Sequence, residues 1–416
     1  MKVNALKGMK DILPAEQRLR DYVQGKILET YRASGFERIS TPMLEDSENL
    51  DKSDGGDNLN LIFKVLKRGE KLDAALAQNP VEEKALSDMG LRYDLTLPLS
   101  RFFAANKNEL QFPFKVIQTD RVFRAERPQK GRSREFVQCD IDILGDSSCN
   151  AEVELIDVTA RALLNIGFDN FVININDRRI LRAMLENMGF APETLDSVCI
   201  TFDKMDKIGS EGVEKELTEK QFPDNAIKNL VDFISSAEGG AKITLDSVAE
   251  KCADASIADE LKYIIKTAEE VSGGKYKINY SPNLVRGQGY YTGVVFEIGS
   301  PDFSGAVGGG GRYDNMIGKF LGQQVPAVGF SIGFERICAI LLDKKYKIPN
   351  QKEKCALLYD DSVDFAKVLS EAAKLRESYS VSVLKKAKKA GPQFDMLEKQ
   401  GYTKFAGFKD GALFVK

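Results

Sequence analysis

The chain has 416 residues, too many for one ordinary domain, and its 43% hydrophobic and 29% charged residues are typical of a globular protein. Its net charge of −3 argues against a protein that coats nucleic acid indiscriminately, although local basic surfaces remain possible. The absence of histidine excludes imidazole general bases, His-containing catalytic triads and imidazole metal sites, so catalysis must use arginine, acidic, tyrosine or lysine side chains, or a bound cation.

Location and redox state follow from what the sequence lacks. No apolar run is long enough to span a membrane, and residues 1–14 have no signal-peptide core. The six cysteines are scattered without a CxxC spacing, which favours reduced thiols over disulfides or a zinc site. The sequence therefore predicts a cytoplasmic protein with no membrane partner and no metal held by its own side chains.

The first 106 residues predict a helix, a strand and a second strand–helix pair. A helix opens at Pro14 and ends near Gly35, and Phe36–Leu44 reads as an edge or interface strand because it contains Pro42. After a polar segment, Leu91–Asn106 reads as a short strand and then a helix. Three polar side chains alternate on one face of that strand, as an exposed face or as a pocket wall: Arg92, Asp94 and Thr96.

The segment Phe114–Gly145 predicts a hairpin with an arginine-rich loop. In its second strand the apolar side chains of Val137, Cys139, Ile141 and Ile143 alternate with polar ones. The loop is either a solvated basic turn or a platform that presents guanidinium groups to phosphate oxygens.

The second half returns to strands after a helical segment. Helical patterns dominate residues 177–275, which interrupt the main sheet, and strands are expected at Tyr276–Tyr280, Leu284–Ile298 and Val328–Ile332. Four consecutive glycines at 308–311 allow a backbone to approach a ligand closely. A helix at Gly333–Leu342 follows the last of these strands. Residues 352–416 form a small, basic α/β unit, whose charge suits either solvent or RNA.

These elements predict an α+β fold: an antiparallel sheet flanked by helices, with a helical insertion and a small C-terminal α/β domain. The predicted boundaries are a first core segment at 1–176, the insertion at 177–275, a second core segment at 276–345 and the C-terminal domain at 352–416. Arginines from three separated segments, Arg124, Arg286 and Arg336, are expected on one face of the sheet. Three arginines without histidine suit a phosphate-rich substrate.

Five stretches of the sequence resemble the histidyl-tRNA synthetases, a family of class II aminoacyl-tRNA synthetases. KGMKDILP through STPMLE resembles motif 1, FRAERPQKGRSREF resembles motif 2, and AVGFSIGFERI resembles motif 3. The two histidine-pocket signatures are more specific, and LVRGQGYYTGVVFE and GGGGRYDNMIG resemble them. The match covers residues 5–345 closely and the C-terminal unit loosely.

The resemblance implies roles for thirteen residues. The ATP-binding residues would be Arg124, Glu126, Arg132, Phe136 and Arg336. The histidine-binding residues would be Asp94, Thr96, Gln138, Asp142, Arg286, Tyr290, Tyr291 and Tyr313. Arg124 and Arg286 would be catalytic, because both would stabilise charge on the α-phosphate.

The implied reaction has two steps. The carboxylate of histidine attacks the α-phosphorus of ATP, and the terminal ribose hydroxyl of histidine tRNA then attacks the acyl carbon of the adenylate. Mg²⁺ would accompany the β- and γ-phosphates. The family resemblance further implies a homodimer formed through the motif 1 region.

Three departures from the family pattern keep two alternatives open. Gln288 and Gly289 stand where the family commonly has leucine and aspartate before the tyrosine pair, so an acid is lost. The C-terminal unit is shorter than usual, and histidine is absent. A non-catalytic paralogue acting as the regulatory subunit of ATP phosphoribosyltransferase in histidine biosynthesis is one alternative. An amino-acid-activating paralogue with a non-tRNA acceptor is the other. The three retained arginines favour the synthetase.

Overall fold

The computed structural model describes most of the chain, as residues 3–52, 60–128, 132–202, 204–238, 244–246, 255–286, 289–409 and 412–415. The chain divides into two compact units, residues 1–345 and 346–416. Within the described ranges, no helix is both long enough and apolar enough to cross a membrane. The predicted polar segment near residue 55, the loop tip at 129–131 and the altered signature at 287–288 lie outside these ranges.

The larger unit contains two sheets. Its strands are, in chain order, β1 (Glu37–Arg38), β2 (Leu44–Asp46), β3 (Lys64–Leu66), β4 (Ser87–Leu91), β5 (Phe114–Phe123), β6 (Glu135–Leu144), β7 (Val172–Asp177), β8 (Lys277–Tyr280), β9 (Val294–Ser300), β10 (Phe303–Arg312) and β11 (Ala327–Ile332). Eight of them form the main sheet in the order β1-β5-β6-β11-β10-β9-β7-β8, and β2, β4 and β3 form a small one.

The helices of this unit are α1 (Pro14–Ala33), α2 (Ser47–Leu50), α3 (Glu70–Leu76), α4 (Glu83–Leu86), α5 (Thr96–Asn106), α6 (Asn150–Asn165), α7 (Arg178–Met188), α8 (Leu195–Phe202), α9 (Met205–Glu219), α10 (Asp224–Glu238), α11 (Ala255–Ser272), α12 (Gly318–Leu321) and α13 (Phe334–Asp343). Helices α7 to α11 connect β7 to β8, which are parallel neighbours. A long crossover is what a parallel strand pair requires.

The predicted hairpin is confirmed, and its strands are the second and third of the main sheet. Strands β5 and β6 pair along their whole length, from Phe114 opposite Leu144 to Phe123 opposite Glu135. Strand β6 also pairs with β11, and β11, β10, β9 and β7 continue the antiparallel order. The sheet is mixed rather than purely antiparallel, because β1 lies parallel to β5 at one edge and β8 lies parallel to β7 at the other.

The alternation in β6 gives the sheet one apolar and one polar face. Cys139, Ile141 and Ile143 are buried almost completely, and helices α1, α6 and α13 pack against this strand. Gln138, Asp140 and Asp142 therefore point to the opposite face, which successive residues of a strand must do. The fold thus covers one face of the sheet with helices and opens the other as a site.

Two strands predicted from the sequence are wrong in extent. The segment Phe36–Leu44 is interrupted, since the amide of Ile39 still donates to β5 but the carbonyl of Met43 accepts from Arg92 near the small sheet. Pro42 has no N–H to continue either ladder. Within Leu284–Ile298, the described residues before Val294 form no strand. There the side-chain amide of Asn176 donates a hydrogen bond to the carbonyl of Leu284 at 3.0 Å.

The predicted polar face of Arg92, Asp94 and Thr96 is also wrong as a strand face. Strand β4 ends at Leu91 and α5 begins at Thr96, so the three residues lie in the turn between them or at its end. The Arg92 side chain is fully buried, forms a 2.9 Å ion pair with Asp120, and donates to the carbonyl of Arg121. It supports the fold, whereas Asp94 and Thr96 reach a cavity.

The C-terminal unit is a separate α/β sheet. Its elements are β12 (Lys354–Tyr359), α14 (Phe365–Leu375), β13 (Ser380–Lys385), α15 (Ala390–Lys399), β14 (Tyr402–Lys409) and β15 (Ala412–Val415). The strand order is β13-β12-β14-β15, with β15 antiparallel to β14. The sheet has small apolar clusters on both sides, one around Val368 and the other around Leu397.

Candidate active site

A cavity of about 550 Å³ opens on the polar face of the main sheet. It brings together all thirteen side chains to which the sequence assigned a role. They are Asp94, Thr96, Arg124, Glu126, Arg132, Phe136, Gln138, Asp142, Arg286, Tyr290, Tyr291, Tyr313 and Arg336. These residues come from segments more than 200 positions apart, so the fold gathers them into one site, while their individual roles stay predictions.

Glycines in the neighbouring strands make room for this cavity. A Cβ atom at Gly329 would lie 1.9 Å from Oδ1 of Asp142, so only glycine lets that carboxyl lie against β11. A Cβ atom at Gly309 would lie 2.8 Å from the Arg286 guanidinium. Side chains at 308–311 would collide with the neighbouring strands or with Arg286, so the glycine run allows both to lie close.

The arginines of the site contact aromatic rings, carbonyl groups and carboxylates. The Arg124 guanidinium lies 4.1 Å from the ring centre of Tyr93 and 5.0 Å from that of Phe136. Nη1 of Arg286 donates to Glu297 at 3.0 Å. Rings and carbonyls orient a guanidinium without neutralising it.

Arg336 lies in the first turn of α13 and is partly buried. Its guanidinium donates to the carbonyl of Ala306 and lies 5.5 Å from the ring centre of Phe303. Burial, followed by the nearby charges of Arg132 and Arg286, lowers the pKa of Arg336. The repulsion that helps to lower the pKa of Arg336 also favours the binding of a polyanion, because negative charge among the guanidinium groups relieves it.

Acidic and phenolic side chains form the other part of the cavity. The Tyr313 hydroxyl donates to Oδ1 of Asp142 at 2.6 Å, and both side chains are buried. Burial raises the pKa of Asp142 to about 7, and the charge of Asp94 adds to the shift. The rings of Tyr290 and Tyr291 lie 4.8 Å apart. This part can exchange hydrogen bonds with a small polar ring.

Comparison with known proteins identifies the family. The family model described as histidyl-tRNA synthetase matches residues 8–337. The chain belongs to the histidyl-tRNA synthetase family. It is 41% identical to the histidine–tRNA ligase of Leifsonia xyli subsp. xyli over 412 residues, which cover 96% of this chain and 94% of the relative. It is 38% identical to a probable histidine–tRNA ligase of Tropheryma whipplei, with 88% and 85% covered.

Solved structures agree on the fold. The histidyl-tRNA synthetase of Nostoc sp. PCC 7120 aligns with a TM-score of 0.76 and 24% identity, over 100% of this chain and 97% of that one. A Bacillus halodurans protein described as an ATP phosphoribosyltransferase regulatory subunit/histidyl-tRNA synthetase aligns with a TM-score of 0.73 and 20% identity, over 98% and 97%. The α+β architecture predicted from the sequence is thus confirmed.

The N-terminal segment supports the loop before β6 that carries Arg132, a contact that sequence reasoning missed. The carbonyl of Gly8 accepts hydrogen bonds from the Ser133 hydroxyl at 2.7 Å and from the Arg134 amide at 2.8 Å. Arg132, which directly precedes Ser133, pairs with Glu126 at 3.3 Å. Gly8 has a φ of 89°, and a Cβ atom there would lie 2.6 Å from Pro128. A glycine between Lys7 and Lys10 in a turn-rich stretch was the available signal.

A second support links the helical segment to Arg286. Val285 is buried in the apolar cluster built by helices α7 to α10, which includes Leu185 and Leu230. The next residue, Arg286, lines the cavity. The packing of the helices therefore fixes the backbone that carries this arginine.

A third support ties α1 to the site. Arg20 forms two hydrogen bonds with Glu335, at 2.6 and 2.7 Å, and Glu335 also accepts from the amide of Val137 at 3.1 Å. The pair joins α1, α13 and the start of β6, the elements that carry Arg336 and Phe136. No local pattern in the sequence indicates a contact over 315 positions.

Proposed function

We infer that the chain catalyses the ATP-dependent attachment of histidine to histidine tRNA, the activity for which its family is named. The observation that carries this function is one cavity with two chemically different parts. Four arginines, Arg124, Arg132, Arg286 and Arg336, suit the phosphates of ATP, and the adjoining Asp142–Tyr313 pair suits an imidazole ring. Few substrate pairs other than ATP and histidine need both.

We propose that ATP binds along the arginines. Arg124 holds the α-phosphate, Arg132 and Arg336 hold the γ-phosphate, Glu126 contacts the adenine, and Phe136 stacks on it. The position of Phe136 beside Arg124 supports this arrangement, since base, ring and guanidinium can then lie in one stack. The pairing of Arg132 with Glu126 supports a shared location for the two side chains in the motif 2 loop.

We propose that histidine binds beside these phosphates. Its imidazole ring lies among Asp142, Tyr291 and Tyr313, and its amino group is held by Asp94, Thr96 and Gln138. Tyr290, which hydrogen-bonds to Thr96, closes the side of the pocket. A pocket built on hydrogen bonds discriminates strongly, because an analogue without the matching groups leaves buried polar atoms unpaired.

The chemistry needs charge stabilisation rather than an enzyme base. The histidine carboxylate forms a bond to the α-phosphorus while the bond to pyrophosphate breaks, and Arg124 and Arg286 stabilise the added negative charge. The ribose hydroxyl of the tRNA then attacks the acyl carbon and AMP leaves. A phosphate oxygen of the adenylate accepts the hydroxyl proton, which fits a chain without histidine.

Mg²⁺ is proposed as the companion of the β- and γ-phosphates. The described residues contain no group of three acidic, cysteine or histidine side chains arranged to hold a metal ion. Mg²⁺ bound to nucleotides takes most of its ligands from phosphate oxygens and water, with one or two carboxylates. Bound there, the ion would neutralise phosphate charge.

A homodimer through the motif 1 region and a cytoplasmic location complete the proposal. Exposed apolar side chains in that region support a partner surface, among them Leu6, Leu13, Met43 and Leu44. The described cysteines are thiols, consistent with a reducing compartment. Sedimentation of the full-length chain tests the dimer, and a monomer at micromolar concentration would contradict it.

Histidine-dependent ATP–pyrophosphate exchange, followed by charging of histidine tRNA, tests the function. Arg286→Ala should reduce exchange at least a hundredfold, because charge stabilisation is lost in the transition state. Arg161→Ala is the matched control, since Arg161 pairs with Asp157 outside the cavity. Absence of exchange in the unmodified chain would favour the regulatory paralogue, and exchange without charging would favour an acceptor other than tRNA.

A further inference from the structure

Strand β6 presents a third polar side chain to the cavity, between the two that the sequence singled out. Asp140 lies two residues from both Gln138 and Asp142, and all three line the same cavity. Its side chain is 6% exposed. Within the described part of the chain, Oδ1 of Asp140 and Oε1 of Gln138 are buried oxygens without a hydrogen-bond donor. A buried acceptor without a donor is costly, so both oxygens suit a ligand that supplies N–H groups.

We propose that Asp140 is a further recognition residue for the amino-acid substrate, receiving its ammonium group together with Gln138. The inference rests on the proposed function and adds a residue that determines specificity. Alternate residues of a strand are about 6.6 Å apart, so their side chains can converge on one nitrogen. An ammonium group has three donors and a positive charge, which matches an amide oxygen beside a carboxylate.

The surroundings favour the ammonium group over the imidazole ring as the partner of Asp140. Asp142 already accepts from Tyr313 and belongs to the phenolic part of the cavity. Arg124 lies 5.0 Å from the ring centre of Phe136, and along β6 Asp140 is closer than Asp142 to Phe136. The substrate carboxylate must reach the α-phosphate near Arg124, and the ammonium group is bonded to the adjacent carbon. Asp140 is therefore on the side where that group must lie.

The electrostatics of the cavity favour the binding of a cation. Burial and the nearby Asp142 raise the pKa of Asp140, while the Ser331 hydroxyl hydrogen-bonds to the carboxyl and opposes the shift. Asp94, whose pKa is also raised by burial, adds a third acid. A bound ammonium group would let one of these acids ionise at neutral pH.

Asp140→Asn in the full-length chain tests the proposal with three ligands. Histidine carries ammonium, carboxylate and imidazole, histidinol lacks the carboxylate, and 3-(imidazol-4-yl)propanoate lacks the ammonium group. Calorimetry should show histidine and histidinol weakened about 10- to 100-fold, since hydrogen bonds to charged groups are the strong ones. The affinity for the propanoate should change less than about twofold, the scatter expected for a contact that is not made.

Two further variants serve as controls. Asp120→Asn makes the same chemical change on β5, where the side chain pairs with Arg92, and should leave the ratio of the three affinities unchanged. Asp140→Ser removes the carboxyl with a smaller side chain and should reproduce the ligand pattern of Asp140→Asn. If circular dichroism shows that one of the two variants is poorly folded, the other provides the test.

The outcomes separate this inference from the proposed function. Equal losses for all three ligands would overturn it in favour of imidazole contact, and unchanged affinities would show that Asp140 acts only with Ser331. If the unmodified chain neither binds histidine nor catalyses exchange, the proposed function itself fails. If the unmodified chain exchanges normally and the variants keep full histidine affinity, only the role of Asp140 is wrong.

Discussion

Asp142→Asn should weaken substrate binding and stabilise the protein at neutral pH. The carboxyl group lies buried on β6, and burial raises its pKa from 3.8 to about 7. The amide keeps the shape of the side chain and can still accept from Tyr313. It has no charge to desolvate, so the energetic cost that burial imposes on the ionised acid disappears.

The size of the effect follows from the two pKa values. The unfolded chain releases this proton near pH 3.8 and the folded chain near pH 7, so the folded state loses stability as the pH rises between them. At about 1.36 kcal/mol per pKa unit, the difference reaches about 4 kcal/mol above pH 7, which is the upper limit for the gain from asparagine. Near pH 4 the gain should vanish.

Urea unfolding between pH 4 and pH 8 measures this gain. The chain has no tryptophan, so far-UV circular dichroism is the suitable signal. Residues 346–416 form a separate unit, and the analysis should follow the transition assigned to residues 1–345. The Michaelis constant for histidine should rise about 10- to 100-fold in parallel, because a hydrogen bond to a charged group is lost.

Asp120→Asn is the matched control and should shift stability the other way. Its carboxylate pairs with the fully buried Arg92 at 2.9 Å, so removing the charge leaves a buried guanidinium less satisfied. If Asp142→Asn proves less stable than the unmodified chain at pH 8, the ionised carboxylate is well compensated in the fold. The reasoning from burial would then be refuted.

Three further substitutions test the residues that support the site. Gly8→Ala should raise the Michaelis constant for ATP severalfold in exchange kinetics, whereas Gly25→Ala, where a Cβ meets no atom within 4 Å, should not. Val285→Ala should cost about 1–3 kcal/mol in urea unfolding and lower kcat, because it loosens the backbone before Arg286. Glu297→Gln removes the 3.0 Å ion pair of Arg286 and should lower kcat about tenfold while the chain unfolds at a similar urea concentration. An unchanged kcat in either of the last two variants would contradict the positioning roles.

The alternation of apolar and polar residues in the sequence was sufficient to predict strand β6 and its two faces. The alternation of Cys139, Ile141 and Ile143 with polar residues placed one face of β6 under helices and left the other open, as the structure has it. The same alternation contains Asp140, so the third acid of the cavity was visible as a pattern. The family motif that this stretch resembles assigns roles only to Gln138 and Asp142, on either side of it.

Long-range contacts explain what the sequence could not reveal. Arg92 looks like an ordinary surface charge, yet its partners Thr41, Asp120 and Arg121 come from segments about 30 to 50 positions away and bury it completely. The stretch before Val294 has strand-like composition, but Val285 is taken up by the helical cluster. Such contacts depend on the tertiary fold and override local propensity.

Because the chain has no histidine, the titration of its buried acids can be measured from the pH dependence of its stability. Histidine is the only side chain whose ordinary pKa lies between pH 5 and pH 8, so in most proteins it dominates the change of stability with pH there. This chain has none, whereas burial raises the pKa values of three buried aspartates of the cavity, Asp94, Asp140 and Asp142. Each proton that the folded state retains and the unfolded state lacks lowers the free energy of unfolding by about 1.4 kcal/mol per pH unit. Asp142→Asn removes one such proton, so the slope between pH 5 and pH 7 should become shallower by that amount, which identifies the titrating group without interference from imidazole.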